Sequence, residues 1–287
     1  MATYEFTHTV AYLGGAFAGS GPSAETISDG DTDNQFEAGD TYEHPTYGTT
    51  TYVGTTVIDG QTWPVFVGSG IYASAHAVLM NATPVSPPAT LVITNEVFPT
   101  CFLPGSLIAT PDGAIAVEDL QIGDWLKTDA GCLVPVKWIG RQTVSTRFGP
   151  AERLMPVRFA AGSLGEGLPH SDLTVTADHG MLVDGVICHA GALVNGTTIT
   201  RVPLAEMGET YTVYHIETEA HEIILANGAP AETFIDNVSR KVFDNYAEFE
   251  TLYGDVPEMR ELSYPRAMSA RQVPARVTAR LNEVFAA

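Results

Sequence analysis

The first hundred residues contain no lysine and no arginine, and all 14 basic residues of the 287-residue chain lie from Lys127 onward, against 34 acidic ones overall. The formal charge of −20 argues against nucleic acid as a partner, because a phosphate backbone is held largely by cationic side chains that release its counterions. Long apolar runs are missing too. No apolar stretch of about 18 residues occurs, nor a basic segment leading into an apolar one, so neither a membrane span nor a cleaved secretory leader is expected. Export by a route without a cleaved N-terminal signal stays open beside a cytoplasmic residence. Cysteine is scarce. Cys101, Cys132 and Cys188 are too few and too scattered for a disulfide framework, and none has CxxC metal spacing. A free nucleophilic thiol fits this count, with Cys132 and Cys188 read as small buried hydrophobes.

A hydrophobic share of 45% is enough to build real cores in one large or two ordinary domains. Residues 1–98 are rich in Gly, Thr, Val and Tyr, with short alternating runs such as TTTYVGTTVIDG and WPVFVGSGIYAS that predict strands and turns. The proline-dense stretch NATPVSPPAT predicts an extended connection and a boundary near residue 100. Residues 99–237 continue as short strands, punctuated by Asp-Gly pairs at Asp112–Gly113 and Asp184–Gly185 at hairpin spacing. Residues 238–287 form a helical extension. In it Val242, Phe243, Tyr246, Phe249 and Leu252 predict one helix, and Val277, Leu281 and Phe285 after Pro274 predict a second. The expected fold is mainly β: an acidic β-rich N-terminal domain, an all-β central domain and a short helical tail.

Cys101 opens the run CFLPGSLIATPDG at the predicted junction, and LTVTADHGMLV follows downstream. Cleavage of the Thr100–Cys101 bond by its own thiol would require weakening of the amide resonance, a proton for the departing nitrogen, and an activated sulfur. His179 is the candidate acid, since imidazole holds and donates a proton near neutral pH. Thr176, three residues earlier, is placed to hydrogen-bond the amide. A third run, VYHIETEAHEIILANG, carries His215 and His221 and ends in Asn227–Gly228, a tight-turn pair.

Together these runs, with VEDLQIGDWLKT between them, resemble the Hint domain, the Hedgehog/intein self-processing module, most closely in its bacterial intein-like form. The resemblance implies a horseshoe-like all-β domain that carries out an N-to-S acyl shift. Cys101 attacks the Thr100 carbonyl, Thr176 and His179 assist, and the chain's own N-terminal segment is the substrate. No cofactor is required. The family's late histidine falls on His221, which assists chemistry at the C-terminal end, whereas His215 stands where the family more often has Asp and is read as a polar strand residue. That C-terminal end departs from the intein pattern. Glu232 and Thr233 occupy the His and Asn places, and the nearest asparagine, Asn237, is flanked by Asp236 and Val238. Cleavage at Cys101 alone is therefore expected in place of full splicing, the thioester passing to water or another nucleophile. The alternative is a processing-inactive Hint scaffold carrying a secreted, calcium-dependent binding or adhesion domain. A cysteine hydrolase acting on other molecules ranks last, because no third member of a triad is visible.

The acidic run DGDTDNQFEAGD, residues 29–40, supplies the calcium expectation. Asp29, Asp31, Asp33 and Asp40, with Gln35 and Glu37 between, take the ligand places of a twelve-residue calcium loop. Asn34 stands where the loop has Gly, and Asp40 where it has Glu; a solvated acidic turn is the competing reading.

Overall fold

The computed structural model describes residues 3–28, 41–44, 48–59, 61–91, 93, 100–146, 151–235, 240–254, 256 and 259–286. The chain forms two compact units. The first comprises Met1–Val97, Thr143–Ala151 and Gly208–Tyr211, and the second Phe98–Gln142, Glu152–Met207 and Thr212–Ala287. Both are mostly β, as the alternation and turn residues predict. No helix among the described residues is long and apolar enough to cross a membrane.

The first unit holds a six-stranded antiparallel sheet in the order Ala16–Ser28, Thr3–Leu13, Ala75–Met80, Gln61–Gly68, Gly48–Ile58, Thr41–His44. Successive residues of a strand face opposite sides, and here both sides are apolar. Phe66, Ala77 and Leu79 join Tyr4, Phe6, Ile27 and Tyr52 in one cluster, while Val65, Val78 and Met80 join Val10, Tyr12, Ile58 and Trp63 in another. A slip in the pairing between Phe6 and His8 separates Phe6 from Val10, which have the same parity yet serve opposite clusters. A second slip between Tyr52 and Gly54 does the same for Tyr52 and Ile58. A one-residue irregularity reverses which side chains face which side.

The second unit is built on a seven-stranded sheet ordered Arg266–Ala267, Val186–His189, Gly180–Val183, Ala229–Glu232, Ile223–Ala226, Leu107–Thr110, Gly113–Ala116. Asn227–Gly228 and Asp184–Gly185 take positive φ and close two-residue hairpins, as their sequence predicts. A three-stranded sheet joins Leu173–Val175, Val157–Phe159 and Ile199–Arg201, and Trp138–Ser145 pairs with Thr210–Glu217. One continuous core runs through the unit from Phe102 to Leu281.

The residues after 238 pack into that core. Arg266–Ala267 adds a parallel strand to Val186–His189, and Val277 and Leu281 bury one face of the helix Ala275–Ala286. The other predicted helix is shorter than its apolar spacing suggests. Arg240–Val242 is a single 3-10 turn, and the helix occupies Tyr246–Tyr253. The cause is Asn245, whose side chain accepts from the Arg141 amide at 2.8 Å and donates to the Ile139 carbonyl at 2.9 Å, anchoring the chain before the helix begins.

Candidate active site

Phe102 is wedged between two segments, bridging Tyr214 on one side and Val175 on the other. Its amide donates to the Tyr214 carbonyl at 2.8 Å, its carbonyl accepts from the Tyr214 amide at 2.9 Å, and the Leu103 amide reaches the Thr174 carbonyl at 3.1 Å. The Thr176 amide donates to the Cys101 carbonyl at 2.9 Å. The Thr100–Cys101 peptide is thereby fixed between the segment ending in Thr176 and the strand carrying His215.

On the nitrogen side, the Cys101 amide donates to Thr176 Oγ1 at 2.9 Å. The threonine hydroxyl directs its own proton towards the Cys101 carbonyl at 3.4 Å. On the carbonyl side, His215 Nδ1 hydrogen-bonds the Thr100 oxygen. A carbonyl oxygen only accepts, so Nδ1 carries the proton. Cys101 Sγ lies 3.9 Å from the same nitrogen. The Cys101 sulfur and the Thr100 carbonyl oxygen therefore meet at one corner of one imidazole.

His179 packs its ring on Phe102 with centroids 4.3 Å apart. Its loop is backed by the chain that follows, with Ala190 donating to the His179 carbonyl at 2.9 Å and Gly191 to the Ala177 carbonyl at 2.7 Å. Neither ring nitrogen makes a hydrogen bond of normal geometry among the described residues, although the Thr100 backbone lies close enough to favour the protonated ring.

Thr100, Cys101, Thr176, His179 and His215 are all buried, with Cys101 at 0% exposure. Burial pushes the Cys101 thiol well above its usual range. It pulls His179 down to about 4, against the opposing pull of the Glu232 carboxylate and the Thr100 backbone. His215 is pulled down to about 3 by burial and then by its neighbour His179. The resting site holds a neutral thiol and two neutral imidazoles.

Residues 100–238 match the family model for the Hint domain. That segment is a Hint domain. Its fold is one of self-processing proteins with cysteine chemistry. Among solved structures, the MchDnaB-1 intein is 15% identical with a TM-score of 0.33, covering 45% of this chain and 98% of its own. The gp41-1 intein is 11% identical with a TM-score of 0.33, covering 47% of this chain and 98% of its own. A DnaB intein from Synechocystis is 14% identical with a TM-score of 0.32, covering 48% of this chain and all of its own. No curated protein matches the chain.

The far end of the Hint domain is occupied by a buried polar cluster. Glu232 accepts from Arg266 Nη2 at 2.8 Å and lies 3.2 Å from His221 Nε2. His221 Nδ1 accepts from the Leu262 amide at 3.2 Å, so Nε2 carries the proton and donates to the carboxylate. Burial alone would raise Glu232, but hydrogen bonds from His221 and Arg266 and the Arg266 charge hold it at about 2. Gly180, next to His179, makes the space: a Cβ there would stand 2.1 Å from Glu232 Oε1. Thr233 Oγ1 accepts from the Glu222 amide at 2.9 Å.

The structure brings together Thr100, Cys101, Thr176 and His179, and sets His221 in the Glu232 cluster behind them. His215, read from sequence as a polar strand residue, instead touches the Thr100 carbonyl. Its signal was parity: Tyr211, Val213 and His215 share the inward face of one strand. Asn237 and the acidic run with Asp29, Asp31, Asp33 and Asp40 lie outside the described residues. Among the described residues, no three His, Cys, Asp or Glu side chains group as a metal site. Cys188 is buried, as expected, but Cys132 is exposed. It sits in a turn where Thr128 Oγ1 accepts from its amide at 3.0 Å, and the turn geometry holds it outside the core.

Proposed function

We propose that the protein processes itself once by an N-to-S acyl shift at Thr100–Cys101, releasing or transferring the N-terminal segment. The observation that carries this reading is the convergence of Cys101 Sγ and the Thr100 carbonyl oxygen on His215 Nδ1, with the amide of the same bond held by Thr176. The bare nitrogen of His179 takes the thiol proton, and the Glu232 carboxylate behind it favours the imidazolium that results. The sulfur adds to the Thr100 carbonyl carbon, and the His215 Nδ1–H stabilises the developing oxyanion. His179 returns the same proton to the Cys101 nitrogen, the carbon–nitrogen bond breaks, and a thioester remains with a free amine on Cys101. Water or another nucleophile then displaces the sulfur, leaving a carboxylate or an acyl adduct at Thr100 and a restored thiol.

Full splicing is not part of this reading. Glu232, in the family's histidine place, is engaged by Arg266 and His221, and Thr233 by Glu222. The role of His221 is to hold Glu232 ionised beside His179.

The test is intact-mass measurement of the full chain beside Cys101→Ala, each incubated with hydroxylamine. Wild type should yield residues 1–100 as the Thr100 hydroxamate, Cys101→Ala should stay whole, and His179→Ala should slow release by roughly 10²–10⁴-fold. If wild type also stays whole across pH and with added calcium, the self-processing reading is wrong and the inactive-scaffold alternative takes its place.

A further inference from the structure

The Hint match ends at residue 238, yet one wall around His215 comes from beyond it. The His215 ring meets Phe234 edge-on, with centroids 4.7 Å apart at 81°. Its face is covered by Phe243, at 5.4 Å and 21°. Phe243 is itself boxed in. Trp138 packs edge-on against it at 5.5 Å, and a Cβ on Gly140 would stand 2.8 Å from its Cγ and Cδ1. The segment is held at both ends. Arg240 makes a two-point salt bridge to the fully buried Glu217, at 2.7 and 3.1 Å, and its guanidinium lies 4.3 Å over Phe234 and 4.8 Å over Phe249. Just past the ring, the Asp244 amide donates to the Arg141 carbonyl at 2.8 Å.

We propose that Phe243 is a positioning residue for the self-processing reaction: anchored by Arg240 and seated on Gly140, its ring holds the His215 imidazole at the Thr100 carbonyl. This rests on the function proposed above, and it extends the working site past the end of the Hint match. Stacking constrains ring tilt and slide, and a misplacement of about 1 Å at a reacting carbonyl can cost on the order of a hundredfold in rate. The same ring keeps water from His215. The titratable groups facing that imidazole are His179, Glu232, Arg240 and the Cys101 thiol.

Two variants test this without touching a reacting group. Phe243→Ala removes the stacked ring, and Gly140→Ala keeps every side chain while displacing it. In full chains carrying Cys101→Ala, which cannot react, the His215 resonance followed by NMR should titrate higher by about one pH unit or more in either variant, since shielding from water is lost. In chains with the native cysteine, hydroxylamine-induced release should slow about tenfold or more in both. Leu252→Ala, at a 53% exposed position of the same segment, should change neither readout. An unchanged His215 titration in both variants overturns the proposal. If wild type does not cleave, the function falls, and the titration alone decides whether Phe243 positions the ring. Should Phe243→Ala fail to fold, Gly140→Ala carries the decision.

Discussion

His179 is neutral down to about pH 4 and His215 to about pH 3 in the folded chain, whereas an unfolded chain protonates both near 6.5. Between those values the unfolded state binds more protons, so their contribution to stability is complete above 6.5 and declines on acidification. By pH 5 each histidine should have lost the fold about 2 kcal/mol. Glu232 behaves differently. Its carboxyl is held at about 2 against an ordinary 4.5, so its contribution disappears only as pH falls below the usual carboxylate range towards 2. Urea denaturation of the Cys101→Ala chain between pH 7.5 and 5 should therefore show a midpoint that drops with acid. Replacing His215 by Gln should roughly halve that slope, since His179 still contributes its share, and a slope that the substitution leaves unchanged would contradict the assignment. At this scale the sequence indicated which residues would lie together where chemistry and local pattern coincide, as at Cys101, Thr176 and His179. It was silent about Arg266, whose carboxylate partner is distant in the chain, and about Phe243, whose meaning depends on the ring beneath it.

The elements behave as their patterns predict where a single face decides the outcome. Alternation and Asn-Gly or Asp-Gly pairs suffice to read the hairpins Gly180–Val183/Val186–His189 and Ile223–Ala226/Ala229–Glu232. What alternation alone hides is the three slips in the first sheet, because a bulge leaves no obligatory residue behind it. The helix Ala275–Ala286 was legible from four-residue spacing, but its docking site was not. Val277 and Leu281 close the same core that contains Phe102. Leu281→Ala should accordingly lower stability by about 2–5 kcal/mol in urea denaturation, the range for cavities in a packed interior. A change within about 0.5 kcal/mol, typical of surface sites, would mean that the helix is an appendage of the fold.

For the molecule as a whole, the proposed cut falls between hydrophobic cores. Among the described residues, the large cluster of the second unit begins at Phe102 and the two clusters of the first unit use residues no later than Ile93, although Thr143–Ala151 and Gly208–Tyr211 also belong to the first unit. Backbone bonds from Phe102 and Leu103 to Tyr214 and Thr174 lie on the retained side. The product that starts at Cys101 should therefore keep its fold, with a circular dichroism spectrum and a cooperative urea transition of its own; loss of cooperativity on cleavage would show that the first hundred residues stabilise it. That departing piece takes with it ten of the chain's acidic residues and none of its basic ones. Burial of the Cys101 sulfur and of Thr100 would separate two clocks in the proposed reaction. Exchange of nitrogen for sulfur needs no visitor and can proceed in the closed chain, whereas an outside acceptor reaches the thioester only when the fold opens locally. When the acceptor is plentiful its own reactivity ceases to count, and eager and sluggish reagents alike release the N-terminal piece at the pace of that opening.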